Sequence, residues 1–278
     1  MENSTLKEFK LGGTLALITG GAGLLGVKHA EAILEGGGTV VLVDISESKL
    51  KRAVATLRKT YGKKKVSGYL LDITNEVHIK KVIGAITKEV GPIGILINNA
   101  ANNPHVSADA GVRDTRLESF PLATWNDDIA VGLTGAFLMA KHIAPEMAAR
   151  GKGVILNIAS DLGVIAPDQR LYRQKGIPPN AQPVKPVSYS VVKHGLIGLT
   201  KYLATYWLGS NIRVNAVAFG GILHDQPQEF LEKLTHLIPL GRMAKSDEYK
   251  GAILFLCSDA SSYVNGATVI IDGGRTSW

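Results

Sequence analysis

Tyr189 and Lys193 are the two side chains whose types and spacing point most directly to chemistry. They stand four residues apart in an apolar stretch with helical character, and positions i and i+4 of a helix share one face. A phenol with an ordinary pKa of about 10 is a poor acid or base at neutral pH. An adjacent ammonium group favours the phenolate and lowers that pKa. The pair is therefore a candidate for proton transfer, although this spacing also occurs by chance on helix surfaces.

A glycine-rich loop near the amino end has the pattern of a nucleotide site. The apolar run 14–19 has the character of a buried parallel strand and leads through 20–26 into an amphipathic helix that ends near Glu35. Glycines allow a tight turn and close backbone approach, and a helix N-terminus offers amide donors to a pyrophosphate. A purely structural turn is the alternative. The predicted ligand contacts in this loop are Gly20, Gly23, Leu24, Leu25 and Gly26.

An acid at the end of the next strand indicates which dinucleotide is bound. The strand expected at 39–43 ends at Asp44, 18 residues past Gly26. A carboxylate there accepts hydrogen bonds from an adenosine ribose diol and repels a 2′-phosphate. The glycine loop also lacks arginine and lysine. The sequence therefore predicts NAD(H) rather than NADP, with contacts at Asp44 and Ile45; capping of the next helix is the alternative role of Asp44.

Strand-like and helix-like segments alternate along the whole chain. Strands are expected at 14–19, 39–43, 66–71, 94–97, 153–158, 212–218 and 267–271, and helices between them include 47–61, 75–90, 124–150, 188–208 and 246–257. This alternation predicts an α/β fold, a doubly wound (Rossmann) parallel sheet of about seven strands with helices on both faces, as one domain over 1–278. Small and amide residues after the fourth strand suit a floor beneath a nucleotide. These predicted contacts are Asn99, Ala100 and Ala101.

Composition and charge exclude several classes of protein. Of the 278 residues, 45% are hydrophobic and 20% are charged, which is an ordinary globular mixture. No run of 18 apolar residues and no hydrophobic signal core is present, so we expect a cytoplasmic protein that does not bind membranes. The single cysteine, Cys257, has apolar neighbours typical of a buried structural thiol, and no Cys/His spacing predicts a metal site. The net charge is +7, but the basic residues are dispersed apart from the run 63–65. An anionic or sugar-like small molecule is therefore a better expected partner than nucleic acid.

Together, these motifs resemble the short-chain dehydrogenase/reductase family over nearly the whole chain. The residues that carry the resemblance are the glycine loop, Asp44, Asp72, Asn98-Asn99-Ala100, Ser160, Tyr189, Lys193, and Asn215 before Gly220-Gly221. The resemblance implies that Tyr189 is the general acid/base, that Lys193 lowers its pKa and holds the nicotinamide ribose, and that Ser160 hydrogen-bonds the substrate oxygen. It also implies a homodimer or homotetramer. Further cofactor contacts that it implies are Asp72, Ile73, Gly220 and Ile222.

A narrower similarity is to the oxidoreductases of bacterial flagellin-modification and surface-glycan loci. It is carried by the segments 189–204 (YSVVKHGLIGLTKYLA) and 165–172 (IAPDQRLY) and by the closing DGGRTSW. This similarity implies carbohydrate biosynthesis, with a phosphorylated or nucleotide-linked sugar as the substrate.

Three positions depart from the family pattern. Leu24 stands where single-domain members usually have glycine, which gives a loop like that of the longer, sugar-nucleotide-modifying branch. Gly132 stands where an asparagine normally orders a water in a proton relay, and Thr134 is a nearby polar group that could replace it. Phe219 replaces the usual proline before Gly220. The change at Gly132 bears most directly on catalytic competence.

An insertion between two catalytic candidates could recognise the substrate. Ser160 and Tyr189 are 29 positions apart, a wider spacing than single-domain relatives commonly have. The excess lies at about 165–187, which we expect to overhang the active site. Arg170 and Arg173 in this segment could bind a phosphate or carboxylate through paired donors. A solvated loop or a subunit contact is the alternative.

A second segment, about 222–240, resembles the mobile substrate lid of the family. Its His224 is a predicted substrate contact. Both segments lie next to the catalytic candidates in the sequence, so we expect them to determine substrate specificity.

The leading hypothesis is an NAD(H)-dependent oxidoreductase that interconverts a hydroxyl and a ketone on a polar substrate. One alternative is a 3-oxoacyl thioester reductase, which Asp44 disfavours because that reduction usually draws on NADPH. Another is a cofactor-binding sensor or scaffold with impaired catalysis, for which Gly132 is the supporting feature.

Overall fold

Seven apolar segments of the sequence form one parallel sheet. The structure, a computed structural model, describes residues 5–102 and 115–278. The strands are β1 (Leu15–Thr19), β2 (Thr39–Asp44), β3 (Val66–Leu70), β4 (Ile93–Asn98), β5 (Gly153–Ser160), β6 (Ile212–Phe219) and β7 (Thr268–Ile271). Their order across the sheet is β3-β2-β1-β4-β5-β6-β7, and each neighbouring pair is parallel. The predicted seven-stranded Rossmann fold is confirmed.

Helices cover both faces of this sheet. Within the described ranges they are α1 (Thr5–Glu8), α2 (Leu24–Glu35), α3 (Glu47–Tyr61), α4 (Glu76–Glu89), α5 (Leu122–Ile129), α6 (Gly135–Ala149), α7 (Val187–Tyr206), α8 (Gln228–Thr235) and α9 (Lys250–Cys257). Ala16 and Ile18 of β1 face a core shared with α2, α3 and α9, whereas Leu15 and Leu17 face a core shared with α4, α6 and α7. Burial on both faces explains why the strands are continuous apolar runs. No helix in the described part of the chain is both long enough and apolar enough to cross a bilayer.

The prediction of a single helix over 124–150 is wrong in one respect. A π-helical turn, Ala130–Thr134, separates α5 from α6. Gly132 lies in this turn, and a Cβ there would come within 2.5 Å of Val192 Cγ1 on α7. The widened turn is compatible with the apolar pattern of the sequence, so periodicity alone does not reveal it.

The predicted lid contains a helix that the sequence reasoning missed. Within 222–240, α8 packs through Leu234 into a small core with Leu171 of the insertion, Ile238 and Met243. Its polar composition and flanking prolines hid the helical pattern. The lid segment and the insertion at 165–187 therefore pack against each other.

The strand order places a crevice at the carboxyl edge of the sheet. β1 lies between β2 and β4, so the sheet grows in opposite directions from this point. In open α/β sheets, ligands bind outside the carboxyl ends of the strands at such a switch point. The loops that follow β1 and β4 begin at Gly20 and Asn99.

Candidate active site

The loop between β1 and α2 forms a backbone cradle. Gly20 has a φ of +59°, and a Cβ there would lie 2.9 Å from the Ala100 Cα. A Cβ at Gly26 would collide with the Gly20 carbonyl oxygen. α2 begins at Leu24, and its N-cap residue Gly23 makes no side-chain cap, so the amides of the first turn are open to an anionic ligand. The residues present therefore fit the pyrophosphate of a dinucleotide.

Asp44 closes one side of this cradle. Its Oδ2 accepts a hydrogen bond from the Ala22 backbone N–H at 3.1 Å, and its Oδ1 accepts one from Ser46 N–H at 2.9 Å. α3 begins at Glu47 with Ser46 at its N-cap, so Asp44 does not cap that helix. The side chain of the next residue, Ile45, is 72% exposed and apolar. The carboxylate therefore faces the glycine loop, where an adenosine ribose would lie.

Asn99 joins the end of β4 to the loop after β1. Its side-chain amide donates to the carbonyl oxygens of Thr19 and Gly20 at 2.9 and 3.1 Å. The backbone N–H groups of Asn99 and Ala100 donate to Thr19 Oγ1 at 3.0 and 3.1 Å. These bonds fix Ala100 and the following Ala101 at the carboxyl end of β4, as their predicted position beneath the nucleotide requires.

The remaining predicted cofactor contacts also follow strands at this edge. Asp72 holds the turn after β3, since its Oδ1 accepts from the Thr74 N–H and Oγ1 at 2.9 and 2.7 Å. The adjacent Ile73 is buried. After β6, the Gly220 carbonyl accepts from the Tyr249 hydroxyl at 2.9 Å. Other contacts expected after β6 include Ile222, which forms an isolated parallel bridge with Ala244.

The three catalytic candidates meet between β5 and α7. Ser160 is the last residue of β5, and Tyr189 and Lys193 lie on the first two turns of α7. Lys193 Nζ donates to the Ile158 carbonyl at 2.7 Å and lies 5.7 Å from the centroid of the Tyr189 ring. An ammonium group has three donors, and within the described parts of the chain the other two donors of Lys193 have no hydrogen-bond partner. The i, i+4 geometry predicted for the pair is present.

Burial shifts the pKa values of both members of the pair. Desolvation raises the pKa of Tyr189 to about 12, against the opposing effect of a hydrogen bond with Ser160. Desolvation lowers the pKa of Lys193 to about 8, and the positive charge of Lys185 adds to that effect. Both shifts favour the neutral forms. Nearby positive charge is therefore what makes a phenolate accessible at this site.

A buried ion pair supports Ser160 and was not identified from the sequence. Ser160 Oγ donates to Asp161 Oδ1 at 2.8 Å, and Asp161 Oδ2 accepts from Arg275 Nη1 at 2.5 Å. The Leu162 N–H donates to Asp161 Oδ1 at 2.8 Å and to Ser160 Oγ at 3.2 Å. The Ser160 hydroxyl must rotate away from Asp161 to donate to a substrate oxygen. A carboxylate directly after Ser160 was the available sequence signal, but its partner lies 114 positions away.

Two further polar groups border the tyrosine. Ser188 donates to Asp128 of α5 in a short hydrogen bond, and both side chains are buried. Lys185 lies over the Tyr189 ring, with its Nζ 4.0 Å from the centroid. Its position four residues before Tyr189 was the only sequence signal, and it lies in the turn before α7 rather than on the helix.

The three predicted substrate residues are exposed. Arg170 forms a bidentate contact with Asp168, with Nε to Oδ1 at 2.9 Å and Nη2 to Oδ2 at 2.7 Å. Arg173 is exposed, and His224 Nε2 lies 3.1 Å from an Asp225 carboxylate oxygen. Substrate binding by Arg170, Arg173 and His224 stays a prediction.

Phe219, which takes the place of proline, is part of an aromatic cluster. Its ring stacks on Tyr249 at a centroid distance of 3.9 Å and lies 6.0 Å from the ring of His29. His29 is fully buried, and desolvation lowers its pKa to about 3. This packing fixes the backbone before Gly220 without a proline.

Comparison with known families identifies the class. Residues 14–172 match the family model described as short chain dehydrogenase, and residues 179–276 match the model described as enoyl-(acyl carrier protein) reductase. The chain belongs to the short-chain dehydrogenase family. It is an NAD(P)-dependent oxidoreductase that acts on CH–OH groups.

Individual relatives span the full length of the chain. It is 32% identical over 277 residues to D-threitol dehydrogenase of Mycolicibacterium smegmatis, covering 97% of this chain and 95% of the relative. It is 34% identical over 269 residues to 3-oxoacyl-(acyl-carrier-protein) reductase FabG of Thermotoga maritima, covering 95% and 98%. A crystal structure of gluconate 5-dehydrogenase from Burkholderia cenocepacia, in complex with NADP and tartrate, is 29% identical with a TM-score of 0.84, covering 99% and 100%. These names do not support the narrower similarity to glycan-locus oxidoreductases.

Proposed function

We propose that this chain interconverts a hydroxyl and a ketone on a polyol, a sugar or a sugar derivative. The observation that carries the proposal is that Ser160, with Tyr189 and Lys193 of α7, lies at the end of β5, at the same carboxyl edge of the sheet where the glycine cradle follows β1. Relatives named for threitol and gluconate support a polyhydroxylated substrate. The test is nicotinamide absorbance across polyols, aldonates, hexose phosphates and nucleotide sugars. Absence of turnover on all four classes refutes the proposal.

Each catalytic residue has a distinct task in this reaction. A nicotinamide cofactor, when bound, exchanges hydride with the carbinol carbon. Tyr189 accepts or gives the proton of the reacting oxygen. Lys193 stabilises the phenolate and keeps two donors for a ribose, since one is used by the Ile158 carbonyl. Ser160 orients the substrate oxygen once its hydroxyl turns from Asp161.

The preferred cofactor in this proposal is NAD(H). Support comes from the Asp44 carboxylate, which faces the glycine loop through the Ala22 N–H, and from the apolar, exposed Ile45 beside it. A 2′-phosphate at this place would meet a negative charge. The dissociation constants of NAD and NADP test this preference. In the variant Asp44→Ser, the difference between these two dissociation constants should be smaller. Equal or tighter binding of NADP by the natural chain refutes it.

A narrower proposal is a phosphorylated or nucleotide-linked sugar, used in bacterial glycan biosynthesis such as flagellin modification. The similarity of the segments 165–172 and 189–204 supports it, as do the exposed basic residues Arg170 and Arg173. A phosphate must compete with Asp168 for Arg170, whose side chain is 75% exposed. The combined change Arg170→Ala and Arg173→Ala should raise KM for a phosphorylated sugar but not for a neutral polyol. An unchanged KM for both substrates counts against it.

A second candidate function is reduction of a 3-oxoacyl thioester. It is favoured by the 34% identity to the reductase of Thermotoga maritima. The two functions differ in the substrate panel, because turnover of an acyl thioester alone would select this one. NADPH preference in the same assay would reinforce that outcome.

We further propose a cytoplasmic homodimer or homotetramer. The exposed apolar side chains of Phe137 on α6 and of Tyr202 and Tyr206 on α7 support assembly, because they are 46%, 61% and 62% exposed in the single chain. Sedimentation equilibrium should give two or four times the chain mass of 29.6 kDa. A monomer at all concentrations refutes the assembly.

A further inference from the structure

Lys185 places a second positive charge on the ring of the catalytic tyrosine. Its Nζ lies 4.0 Å from the Tyr189 ring centroid, whereas Lys193 Nζ lies 5.7 Å from it. A cation over an aromatic face is attracted by the ring quadrupole, and the attraction grows when the ring carries the charge of a phenolate. Lys185 is therefore the nearer of the two ammonium groups to the ring.

The insertion holds Lys185 in this position. Gln169 Oε1 accepts from the Lys185 backbone N–H at 2.8 Å, and Gln169 Nε2 donates to the Lys185 carbonyl at 3.5 Å. Pro186 follows as the N-cap residue of α7, which begins at Val187. The backbone of Lys185 is thus fixed between the insertion and the helix that carries Tyr189.

Two nearby carboxylates help the Lys185 ammonium to stay charged at neutral pH. Burial lowers its pKa to about 8, and the carboxylates of Asp161 and Asp128 oppose that shift. The positive charge of Lys185 in turn adds to the lowering of the Lys193 pKa. Among residues 5–102 and 115–278, the charged and titratable groups near Lys185 and Tyr189 include Asp161 after β5, Asp128 of α5, Lys193 of α7, Tyr172 of the insertion and Arg275 near the carboxyl end.

We propose that Lys185 is a positioning residue of the reaction, which acts through Tyr189 by stabilising its phenolate. The inference rests on the proposed function, since it assigns Lys185 an effect on the proton transfer at Tyr189. An opposite charge within about 4–6 Å shifts a pKa by about 1–3 units. Loss of the Lys185 charge should therefore lower turnover at neutral pH by about tenfold, which corresponds to one pKa unit.

The pH profile distinguishes this electrostatic effect from a structural one. Lys185→Met should turn over about tenfold more slowly than the natural chain at neutral pH, and the two rates should converge above about pH 8 as the natural lysine loses its proton. Lys185→Arg, whose guanidinium stays charged, should keep the higher rate through that range. Lys201→Met removes the same charge from an exposed position on α7 and should match the natural chain. A rate ratio for Lys185→Met that is constant with pH overturns the proposal, as does an equal loss in Lys185→Arg.

A measurement without turnover separates this inference from the proposed function. The ultraviolet absorbance of phenolate is compared near neutral pH in the NAD-saturated chain with and without Lys185→Met, and the spectrum of Tyr189→Phe is subtracted from each. A smaller Tyr189 phenolate signal in Lys185→Met supports the proposal even if no substrate has been found. An equal signal in a variant with a native circular dichroism spectrum overturns it, whatever the natural chain turns over.

Discussion

Replacement of Arg275 by methionine should show how strongly its ion pair with Asp161 supports Ser160. The side chains of Arg275 and Asp161 are only 8% and 4% exposed, and their closest N···O distance is 2.5 Å. Methionine keeps much of the apolar stem but leaves Asp161 buried without its cation. Removal of one partner of a buried pair costs about 3–5 kcal/mol. Because Ser160 and the Leu162 N–H still donate to Asp161, the lower end of this range is expected.

The assay is urea unfolding followed by circular dichroism, with thermal unfolding as a second measure. A loss of about 3 kcal/mol in the free energy of unfolding corresponds to a fall in Tm of roughly 6–12 °C for a chain of this size. Two variants serve as controls. Arg242→Met breaks an ion pair with Glu248 whose side chains are 52% and 39% exposed, so it should leave the free energy of unfolding almost unchanged. Asp161→Asn combined with Arg275→Met removes both charges and should recover most of the stability.

Turnover provides the link to function. Arg275→Met should lower kcat by about tenfold or more, because the unpaired Asp161 carboxylate then holds the Ser160 hydroxyl more strongly and competes with the substrate oxygen for it. If Arg275→Met lowers the free energy of unfolding no more than Arg242→Met does, the assignment of a buried, stabilising pair is refuted. A normal kcat in a destabilised variant would refute its link to Ser160.

Three further predictions concern packed groups elsewhere in the chain. Gly132→Ala should lower the free energy of unfolding by about 1–3 kcal/mol, because its Cβ would lie 2.5 Å from Val192 Cγ1; addition of Val192→Ala should restore most of it in urea unfolding, and no recovery would contradict the contact. Burial lowers the pKa of His29 from its ordinary 6.5 to about 3, so between these two pH values the unfolded chain binds a proton at His29 and the native chain does not. The free energy of unfolding should therefore fall by up to about 1.4 kcal/mol per pH unit as the pH falls from 6.5 towards 3. His29→Phe, beside Phe219, should flatten this slope, and an equal slope would disprove the assignment. Burial raises the pKa of Cys257 to about 12, so a thiol reagent should label the unfolded chain only, and rapid labelling of the native chain would show the thiol to be accessible.

The fold could be predicted because its strands are buried on both faces. β1, β5 and β6 are buried along their length, and burial on both faces of the sheet favours mainly apolar residues in such strands. The glycine loop and the pair Tyr189 and Lys193 were also predictable, because their geometry is local: a strand–turn–helix unit and one helix face.

The features that sequence reasoning missed depend on contacts between distant segments or on small backbone changes. Asp161 and Arg275 pair across 114 positions, and Lys185 reaches Tyr189 because Gln169 fixes its backbone. The π-helical turn, Ala130–Thr134, leaves the apolar pattern of its helix unchanged. No periodicity or motif in the chain encodes these arrangements.

The most direct test of the proposed role of Tyr189 is the turnover of Tyr189→Phe compared with the natural chain. Phenylalanine keeps the ring and removes only the hydroxyl. Nicotinamide absorbance is followed with the best substrate from the panel, and NAD binding is measured separately by titration. We expect Tyr189→Phe to bind NAD as the natural chain does and to have no measurable turnover. Normal turnover in this variant would contradict the assignment of Tyr189 as the acid/base group.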